Sequence, residues 1–166
     1  TPQGIVAVVQ KEEVGQADFS QGKFLFLEDV QDPGNVGTII RTEDAAGFTG
    51  VIVSEKSADI YSLKTLRSMQ GSHFHLPIYR MSSQRLLEEA KEAAIPVLAT
   101  TLSKDSVDYR ELPSIENFVL VMGNEGQGIS SLMAESADQL VHISMKGQAE
   151  SLNVAVAAGI LIFHLS

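Results

Sequence analysis

Short apolar runs recur along the chain and alternate with segments in which apolar positions follow a helical period. The runs are rich in Val, Ile and Leu and are apolar at consecutive positions, which is typical of parallel strands covered on both faces. They predict strands at Gly4–Val9, Phe24–Val30, Val51–Ser54, His75–Tyr79, Pro96–Thr101, Phe118–Gly123 and Leu140–Ser144.

Helical patterns lie between these runs and at the end of the chain. The predicted helices are Asn35–Phe48, Ser82–Ala94 and Ser151–Leu165. Pro33-Gly34 is a turn signal before the first helix, and Asn35 is a residue type that caps helices. Alternating strands and helices predict an α/β fold with a mostly parallel sheet flanked by helices. Ligands of such sheets bind on the loops at the carboxyl ends of the strands, so polar residues there are the candidates for function.

Composition is that of one globular domain, residues 1–166, with 44% hydrophobic and 20% charged residues. The chain has no Cys. This excludes disulfides, thiolate zinc sites and Cys nucleophiles, fits a reducing compartment and predicts a cytoplasmic location. The apolar C-terminal run is too short to cross a bilayer about 30 Å thick, so we expect a core helix and no membrane partner.

The formal net charge of -9 argues against binding nucleic acid by bulk electrostatics, because phosphate contacts need clustered Lys and Arg. The stretch from Arg41 to Arg85 is different, with six basic and four acidic residues. This middle third is mildly basic within an acidic chain. A solvated mixed surface explains most of these residues.

The first polar constellation lies in Glu28–Arg41, where a strand ends in Asp-Pro-Gly-Asn and a helix begins. Arg41 follows Asn35 by less than two helical turns, so its long side chain is expected to extend near the strand-end loop. A capped helix with a surface Arg is equally consistent with this spacing.

Two later segments also place polar groups between a strand and a helix. Val121–Ser130 has three Gly residues, which allow close backbone approach to a ligand, but it has neither the Walker nor the dinucleotide spacing. Glu125 in its middle is suited to accept hydrogen bonds from ligand hydroxyls. Before the last helix, Glu150, Ser151 and Asn153 cluster, and capping alone explains only one of them; a site at a helix N-terminus is the other use of such groups.

The chain has four His residues, of which His73 and His75 would share a face of a predicted strand. No third His or carboxylate stands at ligand spacing, so no metal site is predicted. The GxSxG pattern of hydrolases is absent.

Three segments, DPGNVGTIIRTEDAAGF, FVLVMGNEGQGIS and ISMKGQAESLNVAVAAGILIFH, resemble the three motifs of SpoU/TrmH-like RNA 2′-O-ribose methyltransferases in the SPOUT superfamily. Their order and separation match, and the likeness covers nearly the whole chain. The resemblance implies a SPOUT fold with a C-terminal deep trefoil knot, although true knots are very rare in proteins. It also implies a homodimer formed through the knot region, and it implies RNA, ribosomal or transfer, as the substrate.

The resemblance implies S-adenosyl-L-methionine as the cofactor and no metal. The cofactor-binding residues carried over by position are Thr100, Thr101, Leu102, Gly123, Asn124, Glu125, Gly128, Ile143, Met145, Ser151 and Leu152. The catalytic residues carried over are Asn35, Arg41, Glu125, Ser151 and Asn153. Arg41 is expected to bind an RNA phosphate and stabilise the forming alkoxide, because a guanidinium stays protonated and cannot act as a free base.

Three further roles are our own hypothesis for these residues. Ser151 and Asn153 are expected to orient the ribose and the loop, and Glu125 to hold Asn35 or Arg41 in place. Many relatives carry an N-terminal RNA-binding domain, so the chain is expected to be a catalytic domain. His75 stands where a basic residue is frequent in relatives.

Two other classes of function remain open. The first is a SPOUT-fold module that binds RNA or cofactor without turnover, although all three motifs keep their polar residues. The second is a flavodoxin-like or Rossmann-like nucleotide domain, which the missing dinucleotide fingerprint disfavours.

Overall fold

The structure, a computed structural model, describes Gly4 and residues 7–11 and 14–166. Seven strands form one sheet in the order β3-β2-β1-β6-β4-β7-β5, and all their pairings are parallel. The strands are β1 Lys23–Leu27, β2 Gly50–Val53, β3 Ile78–Arg80, β4 Val97–Thr100, β5 Val107–Asp108, β6 Phe118–Met122 and β7 Gln139–His142. The predicted parallel α/β sheet is therefore confirmed.

Five α-helices cover this sheet. They are α1 Pro33–Ala46, α2 Leu63–Met69, α3 Ser83–Glu92, α4 Ser131–Ser136 and α5 Val154–Leu165. Two short 3₁₀ helices span Ser72–Phe74 and Tyr109–Glu111.

Both faces of the sheet are buried, as the consecutive apolar positions predict. In β1, Leu25 and Leu27 point to the layer formed by α1, α2 and α5, whereas Phe24 and Phe26 point to the layer of α3 and α4. All four side chains are essentially inaccessible to water. Burying each stabilises the fold by about 1.5–3 kcal/mol. The central strands are therefore a rigid base for the loops at their carboxyl ends.

The first helix begins two residues before the predicted start. Asp32 caps α1 by accepting a hydrogen bond from the Asn35 backbone N–H, and Pro33 occupies the first helical turn. Proline is favoured there because its missing N–H would have no partner in a helix start. Asn35 is therefore not the cap, and its side chain is free for contacts elsewhere.

The predicted strand His75–Tyr79 is wrong in its first half. Gln70 and Gly71 adopt positive φ angles of 54° and 91° at the end of α2, and a 3₁₀ helix follows. Only the end of the run forms β3. His73 and His75 therefore do not share a strand face, and the His75 ring instead lies 3.0 Å from an Asp44 carboxylate oxygen.

The predicted last helix, Ser151–Leu165, starts too early. The helix begins at Val154, and Asn153 caps it. Ser151 and Leu152 lie in the preceding loop.

At the other end of the chain, the described part of the predicted strand Gly4–Val9, which is Gly4 and residues 7–9, is exposed and not strand, while residues 5 and 6 lie outside the described residues.

Within the described part of the chain, no helix is long and apolar enough to span a bilayer. The trefoil knot stays a prediction of the motif resemblance.

The strand order places β1 between β2 and β6. The chain therefore adds β2 and β3 on one side of β1 first, and the later strands lie on the other side. Such a switch point opens a crevice at the carboxyl edge of the sheet.

Candidate functional site

Four neighbouring strands, β1, β6, β4 and β7, end at one edge of the sheet because they are parallel. The loops that follow them are residues 28–32, 123–130, 101–106 and 143–153. All three sequence motifs and the segment after β4 therefore meet at the carboxyl edge. The 3.3 Å rise of a strand and the 4.8 Å spacing between strands place these loops within reach of one small ligand.

Glu125 links the loop after β6 to the start of α1. Its carboxylate accepts hydrogen bonds from the backbone N–H groups of Gln31 (3.1 Å) and Asp32 (3.0 Å) and from Asn35 Nδ2 (3.2 Å). Partial burial raises the pKa of Glu125, but these hydrogen bonds together outweigh it, so the pKa lies below its ordinary value. The carboxylate is thus used to hold the protein's own backbone and Asn35, rather than being left open to the hydroxyls of a ligand.

Asn153 joins the third motif to this contact. Its Nδ2 donates to Asn35 Oδ1 at 3.1 Å, while its own Oδ1 caps α5 by accepting from the backbone of Ala155 (2.8 Å) and Val156 (3.3 Å). Both ends of the Asn153 amide are therefore fixed. We call the hydrogen-bonded residues Glu125, Asn35 and Asn153 the polar triad.

Arg41 and Ser151 are not brought into the polar triad. Arg41 lies six residues along α1 from Asn35, roughly 9 Å at the helical rise, and it is exposed. Neither side chain makes a hydrogen bond with the residues that the structure describes. The expected alternative in which Glu125 holds Arg41 is therefore not observed, and Glu125 contacts Asn35 instead.

Gly123 has a structural reason to lack a side chain. A Cβ at this position would collide with the backbone of Gly128 and Ile129. Asn124 and Gly128 close the loop by exchanging backbone hydrogen bonds of 3.0 and 2.9 Å, and Gly128 has a φ of 70°. The close approach that glycine permits here is to the loop itself, which differs from the predicted approach to a ligand.

Asn124 shapes the same loop. Its Oδ1 accepts from the backbone N–H groups of Gly126 and Gln127, both at 2.9 Å, and its Nδ2 donates to the Asp29 carbonyl at 2.8 Å. The side chain therefore folds the glycine-rich loop and ties it to the loop after β1.

The remaining predicted cofactor residues border what we call the cofactor crevice, between the loops after β6, β4 and β7. Thr100 is anchored, since its hydroxyl donates to the Val121 carbonyl at 2.9 Å. Leu102 and Leu152 present apolar side chains that are 66% and 38% exposed. Exposed apolar side chains beside strand-end backbone fit the flat, partly apolar surface of an adenosyl group. Two cavities in the described part of the chain, of about 960 and 730 Å³, are lined by other residues.

Sequence reasoning included Glu28 in the first polar constellation but assigned it no role. It is 3% exposed and accepts hydrogen bonds from Ser83 Oγ (2.6 Å), Ser130 N (2.8 Å) and Ser130 Oγ (2.7 Å). It therefore ties the end of β1 to the starts of α3 and α4. The feature of the sequence that could have identified Glu28 is a charged residue directly after a buried strand.

A second missed group lies at the far side of the crevice. Asp108 in β5 accepts three hydrogen bonds from Arg110, two from its side chain at 2.7 and 2.8 Å and one from its backbone N–H at 3.0 Å, and one from the Ser144 hydroxyl. Arg110, followed by Ser144, holds the pKa of Asp108 well below its usual range. No sequence signal joined these residues, because the two-residue strand β5 has no periodicity to detect.

The described residues contain no group of three or more His, Asp or Glu that could hold a metal ion. The carboxylates of Glu28 and Glu125 at this edge already accept several hydrogen bonds each from the protein itself, and the other groups described above are amides and hydroxyls, a set that suits an organic ligand better than a cation.

A family model described as "SpoU rRNA Methylase family" matches residues 22–163. The chain is 46% identical to a Bacillus subtilis protein named 23S rRNA (guanosine(2553)-2′-O)-methyltransferase RlmP, over 99% of this chain and 65% of that protein. It is 34% identical to a second Bacillus subtilis protein, named Putative TrmH family tRNA/rRNA methyltransferase YacO, over 98% of this chain and 69% of that one. The chain thus spans about two thirds of the length of these relatives.

Solved structures resemble this one along most of its length. An AdoMet-bound rRNA methyltransferase from Sinorhizobium meliloti aligns with a TM-score of 0.82 and 42% identity, covering 86% of this chain and 55% of that chain. AviRb from Streptomyces viridochromogenes, a SpoU methyltransferase in complex with AdoMet, aligns with a TM-score of 0.79 and 35% identity, covering 90% and 60%.

Proposed function

Because the chain belongs to the SpoU rRNA methylase family, we propose that it is the catalytic part of an RNA methyltransferase that uses S-adenosyl-L-methionine and modifies a ribose 2′-hydroxyl. The expected SPOUT fold follows from the same membership and from the solved structures that it resembles. The observation that carries the proposed activity is the polar triad. It joins one residue from each of the three motifs, directly beside the cofactor crevice.

The chain's residues fit the cofactor at the crevice. Leu102 and Leu152 would contact the adenosyl group, while the strand-end backbone beside Ile143 and Met145 would bind its polar edge. When bound, the cofactor would supply an activated methyl group: an oxygen nucleophile bonds to the methyl carbon as the carbon–sulfur bond breaks, and S-adenosylhomocysteine leaves, so no metal is required. Gly123 and Gly128 act indirectly, by keeping the loop after β6 in its closed form.

The polar triad orients the acceptor. Asn35 has one Nδ2 hydrogen bound to Glu125 and its Oδ1 bound to Asn153, which fixes the amide plane and leaves a second N–H to donate to a ribose oxygen. Ser151, exposed in the loop before α5, is close in sequence to Asn153 and would add a second contact to the ribose. A fixed donor costs no reorganisation when negative charge develops on the 2′-oxygen.

Arg41 has a different role in this proposal. A guanidinium remains protonated in proteins, so it binds an RNA phosphate and stabilises the forming alkoxide, rather than removing the proton. The hydroxyl proton then passes to a phosphate oxygen or to water. The exposure of Arg41 and its lack of a hydrogen bond within the described chain leave its planar fork available for this purpose.

Ribosomal RNA is the proposed substrate class, with transfer RNA as the alternative. The relative at 46% identity is named for a guanosine of 23S rRNA, which makes that RNA the first to test. The net charge of -9 means that this chain alone holds RNA weakly, so RNA affinity would depend on further parts of a longer protein or on the local basic residues. An RNA substrate of this kind implies a cytoplasmic location.

A homodimer through α5 is part of the proposal. Val156 and Phe163 are 53% and 57% exposed, and together with Ile160 they form an apolar stripe at helical spacing on the outer face of this helix. Such a stripe favours a self-complementary interface between two copies of the chain.

Phe163→Glu tests this interface, because it places a charge in the apolar stripe. We expect this variant to be a monomer in sedimentation experiments.

The alternative is a module that binds the cofactor or RNA without turnover. The observation that favours it is that neither Arg41 nor Ser151 is hydrogen-bonded to the polar triad.

A methyl-transfer assay distinguishes an enzyme from a module without turnover. The purified chain is incubated with labelled S-adenosyl-L-methionine and fragments of 23S rRNA. We expect labelled RNA from the wild type and at least a hundredfold less from Asn35→Ala.

Asn117→Ala is the matched control in that experiment. Asn117 Oδ1 accepts a 2.6 Å hydrogen bond from Gly22 N at the opposite edge of the sheet, so its loss should leave transfer within about twofold. Cofactor binding without transfer to any RNA fragment would favour the inactive module.

A further inference from the structure

Two loops that border the cofactor crevice are joined through the ring of His142. The Ser106 hydroxyl oxygen lies 3.0 Å from His142 Nδ1, and the Ser144 hydroxyl oxygen lies 3.3 Å from His142 Nε2. Ser106 belongs to the loop after β4, which begins with Thr101 and Leu102. Ser144 lies between Ile143 and Met145 in the loop after β7.

The hydrogen bond between His142 and Ser144 has one direction. Ser144 donates its proton to Asp108, which Arg110 holds in the charged form, so the Ser144 oxygen can only accept from His142 Nε2–H. When the ring carries its proton on Nε2 alone, Nδ1 is an acceptor for the Ser106 hydroxyl. The Ser106 hydroxyl also has the Ser103 carbonyl within hydrogen-bond distance, at 2.7 Å, so two acceptors lie in reach of its one proton.

The strand pairing explains why this contact is possible. Asp108 of β5 pairs with His142 of β7 in the parallel ladder, and β5 is only two residues long. The loop that leads into β5 is therefore held beside β7 by a very short ladder. The ring of His142 adds a side-chain connection where the backbone offers little.

We infer that His142 is a positioning residue for the adenosyl cofactor, through its hydrogen bonds to Ser106 and Ser144. The inference rests on the proposed function, since it assigns the cofactor to the crevice between these two loops. His142 keeps Leu102 on one loop and Met145 on the other at a fixed separation. Without it, the loops must be ordered at the moment of binding, and that ordering weakens affinity while leaving the reacting groups unchanged.

Three variants at His142 separate its hydrogen bonds from its shape. His142→Phe keeps a planar ring and loses both hydrogen bonds. His142→Asn has an amide near the position of Nδ1 and is able to keep the Ser106 contact alone. His142→Gln extends toward the position of Nε2 and is able to keep the Ser144 contact alone. His75→Phe is the matched control, because His75 contacts Asp44 on α1 and borders no crevice loop.

The measurements are calorimetric titration with S-adenosylhomocysteine and the kinetics of methyl transfer at varied cofactor concentration. For His142→Phe we expect Kd and the cofactor KM to rise about five- to tenfold, with kcat at saturating cofactor within twofold of wild type. The Asn and Gln variants should lie between Phe and wild type. Ser144→Ala should weaken binding about as much as His142→Phe, and the double variant should be no weaker than either single one.

Unchanged cofactor affinity in His142→Phe and Ser144→Ala, with a wild type that binds, would overturn the positioning role and leave the proposed function standing. A fall in kcat without a change in KM would overturn it as well. A folded wild type that binds no S-adenosylhomocysteine would remove the proposed function, and this inference with it. Circular dichroism of each variant identifies any loss of folding, and the Asn and Gln variants keep the test valid if Phe does not fold.

Discussion

The polar triad and the cofactor crevice lie on the same edge of the sheet, yet they are built differently. In the triad, Asn35 and Asn153 have most of their polar atoms bonded to one another, to Glu125 or to a helix start. In the crevice, Leu102 and Leu152 are exposed and only a few side chains connect the loops. The comparison teaches that the triad, the proposed acceptor side, is ordered without a ligand, whereas the crevice, the proposed cofactor side, depends on loop positions.

This difference predicts that the two regions control different kinetic parameters. Changes in the triad should reduce kcat, because its groups act on charge that develops in the transition state. Changes in the crevice should raise the cofactor Kd and KM, because its groups contact a part of the ligand that does not change during the reaction.

The largest effect is expected for Asn35→Ala. The variant removes the amide that lies between Glu125 and Asn153, and kcat should fall by on the order of a hundredfold, since small misplacements of reacting groups cost this much. Single-turnover transfer measures the loss, and calorimetry should show a cofactor Kd within about threefold of wild type. A tenfold loss of cofactor affinity with unchanged kcat would contradict the assignment of kcat to the triad and of cofactor binding to the crevice.

Gly123→Ala tests whether the glycine-rich loop acts through its own fold. The added Cβ meets the backbone of Gly128 and Ile129, so we expect a loss of about 2 kcal/mol in the free energy of unfolding. Urea unfolding measures this, and Gly126→Ala is the control because its Cβ has only an ordinary 3.7 Å contact with Asn124 Oδ1. Full stability with lost cofactor binding would instead indicate that the glycine makes room for the ligand.

Glu43→Leu tests a third region, on α1 but away from both parts of the site. Burial raises the pKa of Glu43 well above its ordinary value, and neither carboxylate oxygen has a hydrogen bond within the described chain. The folded protein therefore binds this proton more tightly than the unfolded chain does. The contribution of Glu43 to stability is therefore fully present below the unfolded pKa of about 4.5 and is lost as pH rises through the folded pKa.

Replacing Glu43 by Leu removes the free-energy cost of ionising a buried carboxyl group. Unfolding measured at pH 5 and pH 8 should show a variant more stable than wild type by roughly 1–2 kcal/mol at the higher pH, with a smaller gain at the lower one. Methyl transfer should stay within twofold. An equal effect at both pH values would contradict the assignment of a titrating buried carboxyl.

Leu102→Ala carries the smallest expected effect. Its side chain is 66% exposed without a ligand, so the gain on covering it is modest, and Kd for S-adenosylhomocysteine should rise about threefold with kcat unchanged. Leu132→Ala, another exposed leucine that lies on α4, is the control for the loss of surface leucine. A fall in kcat for Leu102→Ala would instead indicate that Leu102 contributes to the methyl-transfer step and not only to cofactor binding.

The sequence predicted the central strands well and the edges of the sheet poorly. β1, β2 and β6 are continuous apolar runs buried on both faces, a pattern visible without knowledge of the fold. The two residues of β5 and the six of α4 are too short to show a period, and the strand predicted at His75 begins in a 3₁₀ helix.

Prediction of the site followed the same physical division. Parallel strands send their following loops to one edge, so the convergence of the motif segments was predictable from local pattern and resemblance. The contact of Glu125 with Asn35 and the connection of Ser144 to Asp108 join residues far apart in the chain, and only the packed structure specifies which side chains meet. Arg41 follows Asn35 by only six residues on α1, yet its side chain makes no hydrogen bond with the triad. Local spacing alone does not predict this.

The most direct measurement is nucleoside mass spectrometry of 23S rRNA fragments after incubation with the wild-type chain and S-adenosyl-L-methionine. The polar triad beside the crevice predicts a new nucleoside with one extra methyl group on the ribose, absent when Asn35→Ala replaces the wild type. A methyl group found on a base, or an equal yield of ribose methylation from the variant, would contradict the proposed site.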